Sequence, residues 1–380
     1  MFAKNNPRNI AAIIFIGFIS GLYFFKYSAI YLKYPAILTA LYLIVFVGAV
    51  FFLDKIDYPK IFFINQKFVV VISSFLCVIS ILWIALLPRF GGIGRQPAIE
   101  DWLGKFFSGI FPYGSRIAPS GFPILFFLAA PFYFLKNVGY LEAVGLALFL
   151  FFVIYFSRTI KENLFRIIVL LLCPAFYYGF AVSDELFFNM MIIIMLIFMM
   201  EKFYDPDKQS FKFDLLGILF GLALSTRSVV AIVYAVYLTY KFKASIPKGI
   251  TFTFLVILVF WFTLLPFFLW DQNSFIANGP FAIQSYVSFL PLWNIIIITA
   301  AAVILGWLAS NLHEVFFSAG LMLFIPVFLS MLYKIFAFGF YNALVNDIFD
   351  HSYFIFSIPF FLLSLQERAS EEFIGNILTD

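Results

Sequence analysis

The chain is a succession of long apolar runs separated by short polar steps. Runs near 20 residues match the roughly 30 Å hydrocarbon core of a bilayer, and they occur at 9–25, 35–53, 68–88, 139–157, 166–182, 186–201, 249–269, 292–309, 315–334 and 352–366. The run at 122–135 is shorter and contains Pro131, which predicts a re-entrant or interfacial helix rather than a full crossing. Residues 213–241 hold two half-length runs broken at Thr226-Arg227-Ser228. This predicts a short helical hairpin with Arg227 at its apex, because an arginine inside one long helix would lie in hydrocarbon. The fold class is therefore all-α: a polytopic helical membrane protein of about 12 transmembrane helices.

The longest polar interruption, RFGGIGRQPAIEDWLGKFFSGIFPYGSRIAPSG at 89–121, brings together Glu100, Asp101, four basic residues and the pair Pro112-Tyr113. Charges are costly inside a bilayer, so catalytic groups belong in loops at its face or in wet cavities between helices. This interval reads as an outer active-site loop.

Composition narrows the picture. With 64% hydrophobic and 12% charged residues, against about a quarter charged in a soluble domain, no separate soluble module is encoded. The first run follows Lys4 and Arg8 without a small-residue cleavage site, so it reads as a retained helix rather than a removed leader. The 58 phenylalanines read as lipid-facing and packing residues. A net charge of +4 scattered over short loops argues against nucleic acid. Cys77 and Cys173 lie in apolar runs and only His313 and His351 are present, which excludes a disulfide framework and a His-rich metal centre. No GxxxxGK[ST] or GxGxxG phosphate loop occurs, so nothing points to a cytoplasmic nucleotide.

With the N-terminus inside, fifteen of the 24 Lys and Arg residues fall in inner loops, as the positive-inside rule expects. A full crossing at 122–135 would split the basic loops 158–166, 202–212 and 241–248 between the two sides. On the re-entrant reading, Glu100, Asp101, Arg116, Asp184, Glu185, Arg227, Asp271, Asp347, Asp350 and His351 all face outward. Chemistry is expected on that extracytoplasmic side.

Several of these stretches resemble one family. EDWLGKFFSGIFPY at 100–113 looks like the first large outer loop of the GT-C glycosyltransferases, in which an acidic residue precedes a Gly-x-x-Pro-Tyr turn. The Pro-containing helix 122–135, the Ser183-Asp184-Glu185 step, GLALSTRS at 221–228 and HSYFIFSIPFF at 351–361 are similar to that superfamily's order of elements. On this resemblance residues 1–67 are two extra N-terminal transmembrane helices, 68–366 a GT-C-like membrane catalytic domain, and 367–380 a cytoplasmic tail. It implies inverting transfer of a sugar from a polyprenyl-phosphate donor to a lipid, glycan or protein acceptor; the chain's compact size and unglycosylated look separately favour a bacterial inner membrane over an endoplasmic reticulum.

Such a reaction needs a carboxylate for the acceptor proton and cations for the phosphate leaving group. The resemblance makes Asp101 the general base, with Glu100 beside it; the alternative is that both cap a helix from Trp102 to Ile110. For the donor phosphate the candidates are Arg227, Arg116 and His351. Arg227 alternatively pairs with Asp184 or Glu185, and His351 alternatively sits at an interface. Tyr113, Asp184, Glu185 and Asp271 complete the expected substrate pocket. No clear Asp-x-Asp or His-Glu pair marks the outer face, so no metal is demanded; Asp101, Glu100 and a later carboxylate offer the oxygen ligands that Mg2+ or Mn2+ takes. Competing classes are a lipid-linked sugar flippase or transporter, which would show more charges within its spans and two similar halves, a polysaccharide polymerase or ligase, and a structural membrane partner.

Overall fold

The computed structural model describes residues 6–56, 65–86, 95–114, 120–204, 211–282, 292–346 and 348–367, and among them every regular element is a helix. The first eight are α1 (Pro7–Tyr31), α2 (Pro35–Lys55), α3 (Gln66–Leu86), α4 (Arg95–Phe107), α5 (Pro123–Phe134), α6 (Tyr140–Phe156), α7 (Ile160–Leu171) and α8 (Pro174–Val182). There follow α9 (Leu186–Phe203), α10 (Phe211–Leu224), α11 (Val230–Phe242), α12 (Ile246–Trp270), α13 (Gln272–Asn278), α14 (Leu292–Leu308), α15 (Leu312–Phe338), α16 (Phe340–Leu344), a 3₁₀ segment (His351–Ser357) and α17 (Ile358–Ser364). Among the described residues six helices, α1, α2, α3, α9, α12 and α15, are long and apolar enough to cross a membrane, and α7 with α8 makes a seventh if taken as one broken span. The other apolar helices are shorter than the runs that predicted them.

Two expected spans are interrupted for identifiable reasons. The run 166–182 is bent by 61° between α7 and α8, because Pro174 at the start of α8 has no N–H with which to continue the ladder. The closing run begins as a 3₁₀ segment and becomes α-helical only at Ile358.

Burial sorts the helices into layers. In α9, 67% of the span is buried, against 17–22% in α2, α3 and α12. From Phe354 to Leu365 every residue of the closing segment is buried. A helix that is apolar all round belongs in the interior, so α9 and the closing segment form the centre and the sparsely covered helices face lipid. The main core joins Ile16 and Ile19 of α1, Phe149 of α6, Met190 and Ile194 of α9, and Phe360 of α17.

A second, smaller core stands over one end of this bundle. It gathers Ile99, Trp102 and Leu103 of α4, Tyr113, Phe126 of α5, and Phe267 and Phe275 around the α12–α13 junction. The Trp102 ring stacks on Phe126 at 4.2 Å. At the start of α5, Phe122 N–H donates to Thr226 O (3.1 Å) and Ile124 N–H to Ser225 O (3.0 Å). Just after α5, the Asn137 side chain donates to Ile84 O near the end of α3 at 3.0 Å. Both ends of α5 therefore meet the same end of the bundle, which is the geometry expected of a re-entrant or interfacial helix. The hairpin is present too: Phe220 of α10 meets Tyr234 of α11 at 4.9 Å, and Phe213 meets Phe242 at 6.4 Å. The chain thus folds back, with Arg227 at the turn.

Candidate active site

The turn between α8 and α9 is the hub. Ser183 adopts a left-handed conformation (φ 53°), and the next amide, Asp184 N–H, donates back to Gly179 O at 2.9 Å, which closes α8. Asp184 Oδ1 then accepts from Leu186 N–H at 3.1 Å and so opens α9. A side chain at position 139 would bring its Cβ within 2.6 Å of Ser183 Oγ; Gly139 is what lets the start of α6 pack on this turn. Two consecutive carboxylates, Asp184 and Glu185, are thereby held at the bundle end and buried.

Each carboxylate takes an arginine from a different element. Arg95, first residue of α4, donates from Nη1 to Asp184 Oδ2 (2.9 Å) and Ser352 Oγ (2.7 Å), and from Nη2 to Asp350 Oδ2 (3.0 Å). Its guanidinium lies over the Tyr353 ring at 4.7 Å. Arg227 donates from Nη1 to Ser120 Oγ at 2.7 Å and from Nη2 to Glu185 Oε1. Asp350 also accepts from Ser352 N–H at 3.0 Å and from the Ser352 hydroxyl, so it caps the 3₁₀ segment. Five separate stretches of chain converge here: α4, the residues before α5, the α8–α9 turn, the hairpin apex and the closing segment.

The two adjacent carboxylates are driven apart in proton affinity. Burial pushes Asp184 up, Arg95 pulls it back, and Glu185 and Asp350 push again, leaving it at about 7. Burial also opposes the Glu185 charge, but Arg227 and Arg95 outweigh it and hold that carboxyl below its ordinary value. Asp350 is lowered as well, by the Arg95 guanidinium and its hydrogen bonds from Ser352. For Arg95, burial is outweighed by Asp184 and Asp350, and the guanidinium stays firmly protonated. A carboxyl near neutrality beside fixed cations is the arrangement general acid–base chemistry uses.

The candidates read from the sequence separate accordingly. Asp184, Glu185 and Arg227 are brought together, and Arg227 pairs with Glu185, one of the two acids open to it as a structural partner. His351 is buried at 2% exposure, beside Asp350, with its ring 6.2 Å from Tyr23 and 5.4 Å from Phe349. Asp101 and Glu100 lie in the middle of α4, so neither caps a helix starting at Trp102, as α4 begins seven residues earlier at Arg95. Asp101 pairs with Lys105 at 2.9 Å and Glu100 accepts from Gln96 at 2.8 Å, both one turn along the same helix. Asp101 is six residues, or about 9 Å of helix rise, from Arg95. Tyr113 is wholly buried in the smaller core, against Trp102, Phe267 and Phe275; burial pushes its phenol up. The turn before it depends on Gly109 at φ 71°, a conformation that disfavours side chains. Asp271 caps α13 by accepting from Ser274 N–H at 3.0 Å. Arg116 and Asp347 lie outside the described residues.

Sequence alone does not mark Arg95, Asp350, Ser352 and Ser120 as site residues. Arg95 was one of four basic residues in a polar interval, and nothing local distinguishes it; its partners lie 89 and 255 positions away. Among the described residues no group of three or more His, Cys, Asp or Glu side chains converges as a metal site would require. Comparison with protein-family models, with curated proteins and with solved structures found no match to this chain.

Proposed function

We propose that this chain is an inverting membrane glycosyltransferase of the GT-C kind. In this reading about 12 helices span or line the membrane, and the site faces the extracytoplasmic side of a bacterial inner membrane. The donor is a polyprenyl-phosphate sugar and the acceptor a hydroxyl of a lipid, glycan or protein. The observation that carries the proposal is the setting of Asp184: 2% exposed, paired with Arg95 at 2.9 Å, and next to the Glu185–Arg227 pair. It replaces Asp101 as the general base, since Asp101 is partly exposed and engaged by Lys105.

The step balances simply. Asp184 takes the proton of the acceptor hydroxyl, whose oxygen bonds to the anomeric carbon from the face opposite the phosphate. The carbon–oxygen bond to phosphate breaks, and the polyprenyl phosphate leaves with the electron pair. Its charge needs a cation. The Asp350 side chain keeps 51% of its exposure, so an incoming phosphate displaces this partner from Arg95 more readily than it displaces Glu185 from Arg227, where the acid is 1% exposed. Arg227 is therefore a positioning residue. Divalent-metal dependence is not part of the proposal.

One observation favours the lipid-linked sugar transporter instead: a buried carboxylate paired with an arginine, as Asp184 is with Arg95, also serves proton-coupled carriers. The test is transfer from a panel of polyprenyl-phosphate sugars by purified wild type, Asp184→Asn and Asp101→Asn. Asp184→Asn is expected to lose on the order of 10²–10⁴-fold in rate while still binding donor, and Asp101→Asn to stay within a few-fold of wild type. Loss in Asp101→Asn with retention in Asp184→Asn overturns the base assignment. Failure of wild type to consume any donor, with sugar-lipid flipping in proteoliposomes, moves the chain to the transporter class.

A further inference from the structure

Away from the site, close helix packing opens a groove on the lipid-facing side. Gly217 and Gly221 of α10 are one turn apart, and a Cβ on either would meet α12 at 2.5 Å (Leu255) and 2.6 Å (Val259). This small-residue pair draws α12 onto α10. Gly306 does the same for α14 on α11, where a Cβ would lie 2.2 Å from Val236 O. Helices α12 and α14 are thus pulled to opposite flanks of the hairpin, and α11 becomes the floor between them. The resulting groove has a volume of about 690 Å³ and is walled by Ala231, Leu238, Phe254, Ile257, Val303 and Trp307. A second apolar cavity of about 560 Å³ shares Phe254 and Ile257 and continues along α12 to Phe275.

The groove's charge is confined to one end. Lys243, just after α11, lines it at the end remote from the candidate active site. Its ammonium donates to Ala309 O at 2.5 Å and stands 5.2 Å from the Tyr240 ring centre; neither partner carries a negative charge. Lys248 lies at the same end, in the first turn of α12 beside Gly249 of the groove wall. Lysines at the mouth of an apolar slot between membrane helices match a lipid with an anionic headgroup, and Trp307 belongs to the residues favoured at such an interface.

We propose that this groove binds an anionic glycerophospholipid, with one acyl chain along α12 and the headgroup phosphate at Lys243 and Lys248. The lipid lies in the leaflet opposite the Arg95–Asp184 cluster. It is therefore distinct from a polyprenyl-phosphate donor, whose phosphate belongs at the other end, and the proposal does not depend on the transfer reaction.

The test uses the full chain in nanodiscs in which brominated phosphatidylglycerol or brominated phosphatidylcholine is varied over the same range of mole fractions. The Trp307 contribution is isolated as the difference between wild type and Trp307→Phe. Quenching of that component is expected at several-fold lower mole fraction of phosphatidylglycerol than of phosphatidylcholine. In Lys243→Gln/Lys248→Gln this several-fold preference is expected to vanish. Equal quenching by the two lipids in wild type, or a preference that survives the double substitution, overturns the proposal.

Discussion

The two ends of the bundle both bury an arginine, and they treat it differently. At the end opposite the site, Arg166 of α7 is fully buried and donates to Ser157 Oγ at 2.7 Å and to the Leu363 and Leu365 carbonyls, with Glu162 4.0 Å away on the next turn of the same helix. Around it Asn9 donates to Gln366 O at 2.7 Å, Glu367 N–H donates to Glu162 at 2.7 Å, and Thr159 donates to Glu367 at 2.8 Å. These bonds clamp the end of the closing segment. Much of that acceptor set is backbone, which cannot titrate. At the site end, Arg95 and Arg227 meet three carboxylates from two distant stretches, and the closely adjacent acids end up on opposite sides of their ordinary proton affinity. A buried cation held by carbonyls fixes structure; one held by unequal carboxylates also sets a protonation state.

The sharpest way to break this comparison is to remove one arginine at each end. Arg227→Met leaves Glu185 buried without its cation and is expected to cost about 3–5 kcal/mol, read as a lowered thermal midpoint in detergent, together with loss of transfer. Arg166→Met is expected to cost a similar or slightly smaller amount, about 2–4 kcal/mol, but the molecules that fold should transfer at the wild-type rate. Equal loss of transfer per folded molecule in both variants would erase the functional distinction. The double variant Arg227→Met/Glu185→Leu should recover much of the stability without recovering transfer.

A smaller effect sharpens the site end alone. Asp184 rises from 3.8 to about 7 on folding, so between these values the folded state binds the extra proton. Its contribution to stability is fully present below pH 4 or so and is lost as pH rises through about 7. Glu185 and Asp350, held below their ordinary values, act in the opposite sense only as the pH falls below about 4. Between pH 6.5 and 8 the thermal midpoint is thus expected to fall with rising pH while transfer rises, because the base must be ionised. In Asp184→Asn the midpoint should lose this slope. A slope that persists in that variant assigns the titration to another group.

The smallest effect expected concerns Asp271, named for the substrate pocket and found capping α13. Its carboxyl is held below the ordinary value by the Ser274 hydroxyl and amide. Asp271→Ala is expected to lower the thermal midpoint through loss of a helix cap and to leave donor binding unchanged. A weakened donor affinity would return Asp271 to the pocket.

Much of this molecule follows from one-dimensional pattern. Apolar run length sets where helices form, because only a helix satisfies its own backbone in lipid. The brevity of 122–135 and its proline foretell α5, and the Thr226-Arg227-Ser228 break foretells the hairpin. Sequence adjacency also places Asp184 and Glu185 on one turn, whereas their pairing with Arg227 is one of two roles the sequence leaves open for that arginine. The central position of α9 and the closing segment is not readable in that way, because nearly every run is equally apolar and only packing decides which faces protein and which lipid. Arg95 and Asp350 likewise became site residues only when α4 and the closing segment were folded onto the α8–α9 turn. Nor does order along the chain separate Asp101 from Asp184. Both are acids beside another acid, but only one is buried, and burial among charges from five stretches is a property of the tertiary structure.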